Sequence, residues 1–129
     1  MSAQTDALYD YFVASGLLGT YKIQFDYWDE STNDVSQRYF IIQQSGGAKA
    51  EPWFTQPNYQ IIVIGKPREG RLGVADFAGE VSQGIIEYIR KNPSADCYAL
   101  IEAVNSPVPG TTKESRPWYQ FNLRTLTRR

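Results

Sequence analysis

Tyr59-Gln60-Ile61-Ile62-Val63-Ile64 carries four β-branched residues in succession and almost no polar surface. Val and Ile lose side-chain freedom in a helix but pack well on a pleated surface. A short run that is apolar on both faces predicts a central strand covered from both sides. Residues 65–71, Gly-Lys-Pro-Arg-Glu-Gly-Arg, break the run as a turn. Over residues 72–91, Val74, Phe77, Ala78, Val81, Ile85 and Ile89 then recur at helical spacing and form one core stripe. Asn92-Pro93 ends that helix, because proline cannot continue it. Gly79 and Gly84 each cost about 1 kcal/mol against alanine inside a helix. They are tolerable where a neighbour packs closely, within the subunit or between subunits.

Toward the C-terminus, residues 97–104 read as another strand that begins with Cys97 as a small buried hydrophobe. Residues 105–117 form a long loop with Pro107, Pro109 and Gly110. The last strand, residues 118–126, alternates Tyr119, Phe121 and Leu123 against Gln120, Asn122 and Arg124. Toward the N-terminus, the Gly46-Gly47 and Glu51-Pro52 punctuation makes residues 45–56 a loop holding Trp53 and Phe54. Residues 38–44 form a strand expected to return antiparallel on residues 21–28 through the polar turn 29–34. In that first strand, Tyr21, Ile23, Phe25 and Tyr27 face the core. Lys22, Gln24, Asp26 and Trp28 lie on the other sheet face, which is polar with aromatic interruptions. A short helix opens the chain, capped by Thr5-Asp6, with Leu8, Tyr11 and Phe12 on one face and Gly16 at its end. The order is α-β-β-β-α-β-β. It predicts a single α+β domain over residues 1–129: one mostly antiparallel or mixed sheet of about five strands, with two helices packed on one face.

Composition narrows the function. The 129 residues carry a net charge of -1, with thirteen Lys and Arg spread along the chain. That leaves no electrostatic footprint for nucleic acid and no basic membrane anchor. No apolar run approaches the roughly twenty residues that span a bilayer, and residues 1–6 lack a secretory pattern. Both point to the cytoplasm as the place of synthesis. There is no histidine and only one cysteine, Cys97. This removes catalytic triads, Cys-His dyads, imidazole acid–base chemistry, most zinc sites and any internal disulfide.

The remaining chemical options fail on spacing. Residues 65–71 lack the phosphate-loop pattern, and Pro67 removes a backbone donor. Asp26, Asp29, Glu30 and Asp34 lack the calcium-loop pattern and its glycine. Glu80 and Glu87 look like the solvated face of a helix rather than a facing pair in a cleft. The expectation is a protein with no enzymatic activity, no cofactor and no metal.

Three segments together resemble the phage tail terminator family, also described as tail completion or minor tail proteins. They are Asn58-Tyr59-Gln60-Ile61-Ile62-Val63 with Pro57 before it, the helix beginning near Val74-Ala75, and Arg116-Pro117-Trp118-Tyr119-Gln120-Phe121-Asn122-Leu123. The resemblance implies a structural virion protein of the tail, assembled in the host cytoplasm. It implies a ring, usually hexameric, at the head-proximal end of the tail tube, which stops tube polymerisation and offers a surface to the head–tail connector protein. DNA would pass through its channel without sequence recognition. Another neck or head–tail joining subunit, or a monomeric ligand-binding or enzyme domain, is the alternative.

A ring joins one patch of each subunit to a different patch of the next. Candidate contacts follow from residue type and loop position. The acids Asp29, Glu30 and Asp34 would meet the bases Arg68, Arg71, Lys113 or Arg116, and Trp53, Phe54 and Trp118 would supply apolar anchors. Trp53 and Phe54 read equally well as aromatics folded back over the sheet.

Overall fold

The computed structural model describes residues 3–25, 37–48, 54–67, 69, 77–112 and 116–128. In chain order they form α1 (Ala3–Val13), β1 (Tyr21–Phe25), β2 (Arg38–Ala48), β3 (Phe54–Ile64), α2 (Phe77–Lys91), β4 (Tyr98–Ala103), β5 (Val108–Thr111) and β6 (Pro117–Arg128). The strands make one mixed sheet in the order β1-β2-β3-β6-β4, with β5 also paired to β6. The fold is α+β, as its periodicities predict, and its sheet is one strand larger than expected. The extra strand is β5, inside the stretch read as a loop. It pairs antiparallel with residues 117–120 at the start of β6, while β4 pairs with residues 123–127 further along the same edge. Pro107 and Pro109 hid the strand, but an edge strand tolerates proline because one side of its ladder needs no donors.

The β-branched run lies in β3, flanked by β2 and β6 as a central strand should be. Its pairing extends beyond the apolar residues. β2 continues to Ala48 and β3 starts at Phe54, so most of the predicted loop 45–56 is an extended hairpin. A register shift between Gln44 and Gly46 places an extra residue in β2, which is how a ladder takes up a glycine-rich stretch.

β1 pairs with β2 in parallel, with Tyr21 opposite Arg38 and Phe25 opposite Ile42. An antiparallel hairpin was expected. Period-two alternation fixes which face a residue occupies but says nothing of strand direction. The twelve residues between the strands are also about the length that a parallel return requires. The facing survives the change, because Ile23 stands beside Phe40 and Phe25 beside Ile42 on the core side.

Both helices cover that same face. Leu8 and Phe12 of α1, and Ala78, Ile85 and Ile89 of α2, are buried with Phe40, Ile42, Ile61, Val63, Phe121 and Leu123. Complete burial of such side chains is worth roughly 1.5–3 kcal/mol each, so this layer supplies most of the stability. β3 and β4 are both antiparallel to β6 between them. They therefore run parallel to each other, and α2 is the crossover that joins them. α1 starts at Ala3, earlier than the expected Thr5-Asp6 cap, and ends at Val13; in the turn that follows Gly16 takes φ 74°, a backbone region glycine enters without penalty.

Within α2, Phe77 departs from the expected core stripe. It is exposed, with the Arg38 guanidinium 4.9 Å over its ring. Ser82 takes a core position instead and bonds the Ala78 carbonyl at 2.8 Å. Gly84 admits Leu17, whose Cδ1 would sit 3.0 Å from an added Cβ, so its neighbour belongs to the same subunit. Val74 lies outside the described residues. Beneath the helices, the Tyr59 and Tyr98 hydroxyls meet at 3.1 Å. Burial, followed by that hydrogen bond, raises the Tyr98 pKa well above the usual tyrosine range.

Candidate assembly surfaces

At one end of the sheet, Arg116 immediately precedes β6 and is fully buried. Its Nε donates to the Gly65 carbonyl at 2.8 Å, and Nη2 donates to the Gln37 carbonyl. The guanidinium also lies 5.4 Å from the Tyr39 ring centroid. Gly65 follows the end of β3, and Gln37 precedes β2. One side chain therefore ties three strand ends together. Arg116 was expected as a base at a subunit contact, but its head group is spent inside the subunit. Sequence could not show this, because an arginine before a strand reads the same whether its acceptors are partner carboxylates or the chain's own carbonyls.

Trp118 lies next to it, half-buried against Tyr39, Ile41, Ile62 and Ile64. These residues form a small apolar cluster on the sheet face opposite the helices. Its indole lies over Gly110 of β5, where an added Cβ would come within 2.2 Å of Nε1. Further along that face, Gln43, Gln60 and Asn122 fall in one cross-strand row. The face is thus polar over much of its area, with an apolar end.

At the far end, the backbone of Phe54 pairs with Arg128 and that of Thr55 with Thr127. The β2–β3 hairpin and the end of β6 thereby form a three-stranded extension. Asp29, Glu30, Asp34, Trp53, Arg68, Arg71 and Lys113 lie outside the described residues. Cys97 is exposed, with φ 68° in the turn before β4, rather than buried in the strand.

Two further surfaces carry exposed or groove-lining apolar groups. On α1, Tyr9 and Val13 are 39% and 48% exposed, beside the exposed Asp6 and Asp10. A helix apolar on its buried side looks complete in sequence, which hides this second stripe. On the other flank of the helical layer, Ile86, Ile89, Arg90, Pro93, Leu100 and Ala103 line an open groove of about 280 Å³ between α2 and β4. The groove was invisible in sequence because its walls come from separate elements.

Among the described residues, no three of His, Cys, Asp and Glu come together as a metal site, and no helix is long and apolar enough to cross a membrane. Comparison with individually curated proteins finds no match. Comparison with protein families matches residues 1–129 to the family described as Phage tail termination protein. The chain belongs to this family of structural, non-catalytic phage tail proteins.

Proposed function

We propose that copies of this chain form a closed ring, of six subunits, at the head-proximal end of the tail tube. The ring stops tube polymerisation, presents a surface to the head–tail connector protein, and lets DNA pass without reading its sequence. The family match over residues 1–129 carries this reading. The exposed apolar groups agree with it, because heterologous contacts need two unlike patches on each subunit.

Asp29, Glu30 and Asp34 are proposed to face Arg68, Arg71 or Lys113 of a neighbouring subunit, setting register more than affinity. Trp53, Phe54 and the exposed part of Trp118 are proposed as apolar anchors. Arg116 serves from inside, by tying the start of β6 to the end of β3 and the start of β2.

Native mass spectrometry with negative-stain microscopy tests the ring. The expected result is a closed species of six copies, alone or after addition of tube protein, together with tubes of limited length. A chain that stays monomeric and leaves tube growth unchanged would sink the proposal.

A further inference from the structure

We draw no further inference here: the strongest candidate, the sheet face opposite the helices with its Gln43–Gln60–Asn122 row beside half-buried Ile62 and Trp118, would suit nucleic acid, another protein or a second copy alike, and nothing in the structure shows what covers it.

Discussion

Arg116 and Arg124 lie at the start and in the second half of one stretch of chain, and water treats them in opposite ways. Arg116 is fully buried, and its donors reach the carbonyls of Gly65 and Gln37. Arg124 is 60% exposed and pairs with the Glu102 carboxylate across the β6–β4 ladder. The two share residue type and charge but differ in what holds them. One donates to strand-end carbonyls within the subunit; the other neutralises a charge that water already serves. An arginine contributes to a fold in proportion to what would be stranded without it.

Arg116→Ala should show the largest effect. The buried Gly65 carbonyl loses its donor at a cost of roughly 1–3 kcal/mol, the part-buried Gln37 carbonyl loses one as well, and Tyr39 loses its covering group. The expected destabilisation is about 3 kcal/mol or more by urea unfolding, with a cooperative but lower thermal transition. Arg116→Lys should recover only part of it, because an ammonium lacks the planar fork that reaches two acceptors. If Arg116→Ala unfolded no more easily than Arg124→Ala, the contrast between the two would be broken.

Gly110→Ala probes the same end of the sheet by overpacking. The new methyl would fall within 2.2 Å of the Trp118 indole, so either the indole or β5 must move. A loss of roughly 1–3 kcal/mol is expected, as for extra methylenes forced into a packed site. Tryptophan fluorescence should report a shifted Trp118 environment. An unchanged stability and spectrum would mean that β5 yields freely, and that the Arg116 end is less rigid than its hydrogen bonds imply.

What was legible in sequence follows from these local chemistries. The run ending in Ile61-Ile62-Val63-Ile64 announced a central strand because both of its faces are apolar. The Ala78, Ile85 and Ile89 stripe announced the packed face of α2 for the same reason. Strand direction was not legible, since Tyr21, Ile23 and Phe25 alternate identically beside a parallel or an antiparallel partner. The burial of Arg116 was not legible either, because its acceptors, Gly65 and Gln37, lie 51 and 79 residues away. The α2–β4 groove needed Leu100 and Ala103 beside Ile86, a proximity that only the β3–α2–β4 crossover creates. On the surface, Trp53, Phe54 and Trp118 stand out in sequence by residue type, whereas Tyr9 and Val13, which the structure leaves exposed, look ordinary on a short amphipathic helix.

Arg124→Ala should have the smallest effect, and it sharpens the contrast most. Its partner Glu102 stands directly opposite on β4, the geometry in which cross-strand pairs stabilise a sheet by roughly 0.2–1 kcal/mol. Both groups remain substantially in water, and exposed pairs sit at the low end of that range. A double-mutant cycle with Glu102→Ala should return a coupling below about 1 kcal/mol. The coupling should shrink further as salt rises, since exposed charges are screened within about 10 Å at 0.1 M ionic strength. A salt-independent coupling above about 2 kcal/mol would place the pair out of reach of water, and Arg124 would then belong with Arg116 among the groups that hold the sheet together.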